Sequence, residues 1–394
     1  MADPVSAQVR AVMGATGQFG QWATSPALSQ GLSRPSACDF VFGNPHDVAP
    51  AAYVDALTRA TQPTGPDHFA YKMSEPVATE AVASGLRDRF GLPFEADDIF
   101  MTNGNFSGLA VSLQVLTDPG DEVIFISPPW FFYEALIVAA GATAVRVLTD
   151  RRTYELDLDA LAEAITPRTR AIIVNSPHNP SGRIYDVGVL EAIAGILRSG
   201  SERAGRPIIL LSDEAYNRIV YDDREFSTPV AHYDHSLLLY TYAKTLLSPG
   251  SRLGYIALPP TMPERDELRD AIVFAQITLG WAFPVATLQY AVPDLERLDP
   301  DVKALQRRRD VLCGALRTQG YDLLVPEGTF YITVRSPIPD DVAFCEALTG
   351  HDVFVLPGTM FELPGAFRIS VTASDDMVAR AIPGFAAAIG QARR

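Results

Sequence analysis

From about residue 75 the chain alternates between two hydrophobic periodicities. A helix is predicted to open at Glu75-Pro76, with proline in its first turn, and to run to Phe90, where Gly91 stops it. A second opens near Asn105 and carries Leu109, Val111, Leu113 and Leu116. Short β-rich runs follow at 122–126, 143–147, 170–174, 208–212, 237–241 and 253–258. Most are continuously apolar, the pattern of strands covered by helices on both faces. Helix-like segments near 131–140, 159–165 and 187–198 fill the early gaps. That layering predicts an α/β protein with a mostly parallel sheet. After about 290 the texture changes to a long helix (301–318), strands near 329–335, 353–356 and 366–371, and a closing helix (376–389), a smaller α+β unit. Residues 1–37 are rich in Ala, Gly, Ser, Gln and Pro, with weak periodicity. They are expected to form an arm that packs on something else or stays mobile.

Bulk composition narrows the class. The 394 residues are 47% hydrophobic and 20% charged, an ordinary globular balance with enough material for two unequal domains. A net charge of −15 argues against a nucleic-acid surface, and the run Arg307–Arg309 reads as a solvated helix face. Three widely spaced cysteines, Cys38, Cys313 and Cys345, fit neither a disulfide framework nor a metal site, and they suit a reducing compartment. No apolar run reaches membrane-spanning length. The expectation is a cytoplasmic protein without metal.

One residue type is out of proportion. There are three lysines against twenty-nine arginines, and Lys244 lies in the apolar stretch Leu-Tyr-Thr-Tyr-Ala-Lys-Thr-Leu-Leu. Lysine can lose its proton and act as an amine nucleophile, which a guanidinium cannot. The plain alternative is a lysine snorkelling from a strand end.

In sheets of this kind ligands bind beyond the carboxyl ends of strands, so the residues just after each β-run are the candidate site. Thr102-Asn103-Gly104-Asn105-Phe106-Ser107-Gly108 joins a β-run to a helix start, where backbone N–H groups suit a phosphate. Trp130, after Ser127-Pro128-Pro129, either stacks on a planar ring or is core. Asn175-Ser176-Pro177-His178-Asn179-Pro180-Ser181-Gly182 is a proline-set turn that also offers the Asn179 amide. Asp213 ends a strongly apolar strand, costly unless it meets a cation or a protonated nitrogen, and Tyr216 lies three residues on. Thr241 and Arg252 flank Lys244, and a second cation there would depress the lysine's pKa or hold a phosphate. Arg368 sits in an apolar strand and needs an anionic partner, structural or substrate. Together these parts describe a site for pyridoxal 5′-phosphate (PLP).

The motifs Asn-Ser-Pro-His-Asn-Pro-Ser-Gly and Ser-Asp-Glu-Ala-Tyr, then Lys244 followed by Ser-Arg-Leu-Gly-Tyr, resemble those of the class I/II aminotransferases, PLP enzymes of fold type I. The resemblance spans about residues 38–390. It implies a three-layer α/β fold with a mostly parallel central sheet and a smaller α+β domain. The expected division is 1–46 for the N-terminal arm and part of the small domain, 47–290 for the large PLP-binding domain and 291–394 for the small domain. By resemblance, Lys244 forms the internal aldimine and shuttles the substrate Cα proton. Asp213 holds the pyridine nitrogen protonated, Asn179 and Tyr216 contact the phenolic oxygen, and Trp130 stacks on the ring. Gly104, Asn105, Thr241 and Arg252 hold the phosphate, with Tyr71 reaching it from a neighbouring subunit of a homodimer. Arg368 clamps the substrate α-carboxylate, and Gly43 matches the substrate-side turn. Asn105-Phe106 stands where small residues are usual, so the large Phe106 reshapes the cup.

Residues 102–145 and 270–290 contain no Lys or Arg, whereas Trp130, Phe131, Phe132, Trp281 and Phe283 are aromatic. The expectation is transfer of an amino group from an uncharged or aromatic L-amino acid to a 2-oxo acid. Rival readings are another PLP reaction on the same scaffold (β-elimination, decarboxylation or dioxygen-dependent oxidation) and a ligand-sensing relative without catalysis.

Overall fold

The computed structural model describes residues 4–263 and 265–394. Its centre is a seven-stranded sheet in the order Ile99–Thr102, Gly254–Ala257, Ser236–Thr241, Ile209–Asp213, Thr169–Asn175, Glu122–Ser127, Thr143–Leu148. The last five strands run parallel, and Gly254–Ala257 is antiparallel to both of its neighbours. The four strands Glu122–Ser127, Thr169–Asn175, Ile209–Asp213 and Ser236–Thr241 are buried at essentially every position, as their continuous apolar runs predict. Thr143–Leu148 differs: it is an edge strand and largely exposed, whereas Ile99–Thr102 at the other edge is buried throughout.

The predicted helix at 75–90 is Pro76–Phe90, ended by Gly91 at φ 67°, a left-handed conformation that glycine adopts without steric cost. It packs with Ala51–Ala60 and Ala286–Leu295 against one face of the sheet, around Val82, Leu86, Leu238 and Tyr255. Asn105–Leu116 and Arg265–Thr278 pack together around Leu109, Leu113, Leu239 and Ile272. The helices at 51–60, 265–278 and 286–295 lie outside the elements read from periodicity.

A second, three-stranded antiparallel sheet contains Leu356–Pro357, Ala366–Ser370 and Tyr331–Arg335. The helices Val302–Gln319 and Asp375–Ala392 share its core with Phe330, Phe367 and Phe385. The run predicted at 353–356 is split: Val353–Phe354 pairs instead with Cys38–Asp39. The first 37 residues contain three short helices, Ala7–Ala15, Gly17–Ala23 and Pro26–Leu32, the first and third capped by Ser6 and Ser25. The arginine run is a correction. Arg307 is exposed, but Arg308 is buried against Asp47 and Asp375, and Arg309 against Asp222 and Asp310. Ion pairing, rather than solvation, satisfies these two charges.

Candidate active site

The parallel strands deliver their carboxyl ends to one edge of the large sheet. Gly254–Ala257 runs the other way, so its amino end, two residues after Arg252, arrives at that same edge. Ile99–Thr102 is antiparallel to it and therefore brings Gly104, Asn105 and Phe106 there too. A cleft of about 590 Å³ results, lined by Asn105, Phe106, Trp130, Asn179, Asp213, Tyr216, Thr241, Lys244 and Arg252. A neighbouring cavity of about 410 Å³ shares Trp130, Asn179, Tyr216 and Lys244, and adds Gly43 and Arg368. Lys244 stands where the two meet.

Lys244 lies in a single helical turn, Tyr242–Thr245, that follows its strand without a loop. Thr241 caps the turn by accepting from the Ala243 N–H at 3.2 Å, and its own hydroxyl donates to the Leu253 carbonyl. Behind it, Tyr242 donates to Glu296 at 2.5 Å and Tyr240 donates to Thr245 at 2.7 Å, pinning both sides of the turn. The ammonium lies 5.8 Å above the Phe330 ring. Among the described residues it has no ion pair.

Asp213 is buried, and burial pushes its carboxyl up to about 6. Tyr133 donates to Oδ2 at 2.6 Å and Asn105 Nδ2 donates to Oδ1 at 2.7 Å. Asn175 braces the backbone here: its Nδ2 donates to the Asp213 carbonyl, and its Oδ1 accepts from the Asn179 N–H. Tyr216 is fully buried, its ring edge-on to Phe330 and Tyr331.

Two arginines bracket the lysine. Arg252 comes so close to the backbone that a side chain at Gly104, which sits at φ 78°, would lie 2.8 Å from its Nη2. Arg368 is 2% exposed. Its Nη1 donates to Asn179 Oδ1 at 2.9 Å, its Nη2 to the Val41 carbonyl at 3.2 Å, and its Nε has no partner. The Tyr331 ring lies 3.8 Å beneath the guanidinium. Among the described residues neither arginine has a carboxylate within ion-pair distance; Arg368 is a desolvated charge open to an anionic group, whereas Arg252 is exposed and donates to the Pro249 carbonyl at 3.0 Å. Gly43 is required at its place, since any Cβ would be 2.5 Å from the Phe330 ring.

Two anion-seeking arginines, a carboxylate fit for a protonated ring nitrogen and an open amine between them match the ends of PLP and an amino acid. Trp130 supplies an aromatic face, with Phe106 and Phe132 at 5.1 and 5.3 Å. Tyr71 is not in this assembly: it is 86% exposed and packs on Phe283 at 4.9 Å. Phe132, Trp281 and Phe283, predicted for an aromatic pocket, line neither cavity; Phe132 packs on Phe106 and Trp130, Trp281 packs on the large-sheet core and Phe283 is exposed beside Tyr71. Tyr133, Asn175 and Tyr331 were missed from sequence. Tyr133 carried a signal, a polar tip at the start of the helix Tyr133–Ala139, whose residues after Glu134 are all apolar.

Comparison with known proteins agrees with this geometry. Residues 43–384 match the family described as aminotransferase class I and II. The chain is 32% identical over 363 residues to an aspartate/prephenate aminotransferase of Thermus thermophilus, covering 89% of this chain and 90% of that one. It is 28% identical over 351 residues to a probable aspartate aminotransferase of Methanocaldococcus jannaschii, covering 87% and 88%. Among solved structures, an amino transferase from Eubacterium rectale superposes with a TM-score of 0.88 at 29% identity, over 100% of both chains. An N-succinyldiaminopimelate aminotransferase from Mycobacterium tuberculosis gives 0.83 at 26% identity, over 98% of this chain and 100% of that one. The fold is therefore that of the fold-type I enzymes, and the chain belongs to the class I and II aminotransferases, PLP-dependent transaminases that act on amino acids and 2-oxo acids.

Proposed function

We propose that this transaminase takes an uncharged or aromatic L-amino acid as donor and works as a homodimer. The observation that carries the substrate reading is the lining beside Lys244. Phe106 and Trp130 line the cleft and Phe131 the adjoining cavity, with Phe132 packed behind Phe106 and Trp130 and Phe19 of the N-terminal arm stacked on Phe131 at 3.7 Å. The cations lining the two cavities are Lys244, Arg252 and Arg368. If Arg252 meets the phosphate and Arg368 the α-carboxylate, no cation of this chain is left there for a second carboxylate. An acidic donor would then bury an unpaired charge against aromatic rings. The names of several relatives mention aspartate, which makes an acidic donor the second reading.

Bound PLP supplies an aldehyde that can hold an amine and a protonated ring that draws electron density from Cα. In this reading Lys244 would hold the cofactor at its aldehyde carbon and would carry the substrate's Cα proton. Backbone N–H groups after Gly104, at the start of Asn105–Leu116, hold the phosphate with Thr241 and Arg252. Phe106, the second residue of that helix, faces the cleft beside the cup. Asp213 faces the ring nitrogen, Asn179 and Tyr216 the phenolic oxygen, and Trp130 the ring face. Arg368 binds the α-carboxylate beside Gly43 and aligns the Cα–H bond. Tyr71 reaches the partner subunit's phosphate, a role that fits its exposure on an apolar surface. Three buried, unpaired cysteines fit a reducing compartment, and we assign the enzyme to the cytoplasm on that ground.

Initial rates with phenylalanine and with aspartate, at one fixed 2-oxo acid, test the substrate reading. Phenylalanine is expected to give a kcat/KM at least about tenfold higher. A preference for aspartate would refute it.

A further inference from the structure

Asp213 is held from two sides by the side chains of Asn105 and Tyr133. Oδ1 accepts from Asn105 Nδ2 at 2.7 Å, and more weakly from the Ala215 N–H at 3.3 Å. Oδ2 accepts from the Tyr133 hydroxyl at 2.6 Å. Asn105 is the first residue of the helix Asn105–Leu116, and its side chain turns away from the anion-binding helix start toward the carboxylate. Its other end, Oδ1, is buried without a partner, so the bond to Asp213 is the one that orients the amide. Tyr133 is buried in the large-sheet core beside Trp130 and Phe125. Burial, with Asp213 nearby, pushes its phenol well above the ordinary range, so it stays a donor.

We propose that Asn105 and Tyr133 form a two-sided clamp that keeps Asp213 in its ionised form and thereby leaves the ring nitrogen of bound PLP protonated. The inference rests on reading the cleft as the PLP site. In a dry pocket an unsupported carboxylate is basic enough to take the proton from a pyridinium nitrogen. Donors on both oxygens stabilise the charged form and shift that balance back. Among the groups that favour the charged form, the Tyr133 bond is the strongest, followed by the Ala215 N–H, the positive charge of Lys244 and the Asn105 amide. Neither residue touches the reacting atoms; both are positioning residues.

The test uses holoenzyme reconstituted with PLP carrying ¹⁵N in the ring, and reads the nitrogen's chemical shift. Tyr133→Phe keeps the ring's packing and removes the donor; Asn105→Ala removes the other. Wild type is expected to give the signal of a protonated nitrogen. Both variants should move toward neutral pyridine, Tyr133→Phe further. Their kcat should fall about 10- to 100-fold while KM for the amino acid stays within about threefold, since the lost interaction strengthens only as charge develops. Should Asn105→Ala disturb the helix start, Tyr133→Phe decides alone. An unchanged nitrogen signal in variants that still bind PLP, or a neutral nitrogen in wild type, would overturn the clamp. Failure of wild type to bind PLP at all would instead overturn the reading beneath it.

Discussion

A buried guanidinium with no counterion is expensive, and Arg368 accepts that cost with its Nε unpartnered and a tyrosine ring beneath it. A structural arginine would have found a carboxylate within the fold, and the absence of one here supports the proposal that Arg368 meets the substrate's. Arg368→Lys keeps the charge but loses the planar fork. It should lower kcat/KM for the amino acid by about 2–5 kcal/mol in transition-state binding while leaving PLP affinity nearly unchanged. A parallel loss of PLP affinity, read from a fluorescence titration, would contradict this. Asp213 gives a prediction of a different kind. Its folded value of about 6 lies above the ordinary 3.8, so the folded chain binds this proton more tightly than the unfolded one. The contribution is complete below about pH 4 and is lost as pH rises through 6. Urea unfolding of the apoprotein should show wild type losing at most about 3 kcal/mol relative to Asp213→Asn between those values. Glu214, pushed up to about 7 by burial, acts in the same sense in both proteins and cancels. No difference in slope would contradict the burial argument. Lys244, Asp213 and Arg368 were legible because rare or costly residue types stood in apolar surroundings. The side-chain bond from Asn105 to Asp213 was not, because periodicity locates a helix start without saying which way its first side chain turns.

At the scale of elements, the turn after Asn179 ties the two sheets together. Gly182, at φ 73°, accepts from the N–H groups of Glu327 and Gly328, each at 2.9 Å. Any Cβ there would collide with Pro326 and with the Gly328 carbonyl. Gly182→Ala should therefore destabilise by about 2–4 kcal/mol, through both the left-handed backbone and the overlap. It should also raise KM for the amino acid, since Asn179 and Arg368 approach from opposite sides of this junction. A wild-type denaturation midpoint for the variant would show that the turn has slack. Strands buried on both faces were the most legible elements, their apolar runs being unbroken. The arm's helices were not, because Ala7–Ala15 buries none of its residues and so leaves no stripe to read. Arg308 and Arg309 misled for a related reason: their partners Asp47 and Asp222 are distant in sequence, and composition does not reveal pairing.

For the whole molecule, the unexplained surface is apolar. Phe69 is 64% exposed and Phe274 68%, and Ile277, Leu279 and Val285 are exposed in the same two segments that meet where Tyr71 touches Phe283. Exposed aromatic clusters of this kind mark association surfaces. Wild type is expected to sediment as a dimer at micromolar concentration, and Phe274→Asp to shift toward monomer with specific activity falling on dilution. A wild-type monomer with full activity would contradict the shared-site reading. The central claim, however, concerns one atom, the Nζ of Lys244, and the chain's three lysines make it unusually easy to test. Borohydride reduction of the holoenzyme fixes a carbon–nitrogen double bond between PLP and a lysine, and peptide mass spectrometry then locates it. The added mass is expected on the peptide containing Lys244 and on neither Lys72 nor Lys303; modification of either of those, or of none, would contradict the account.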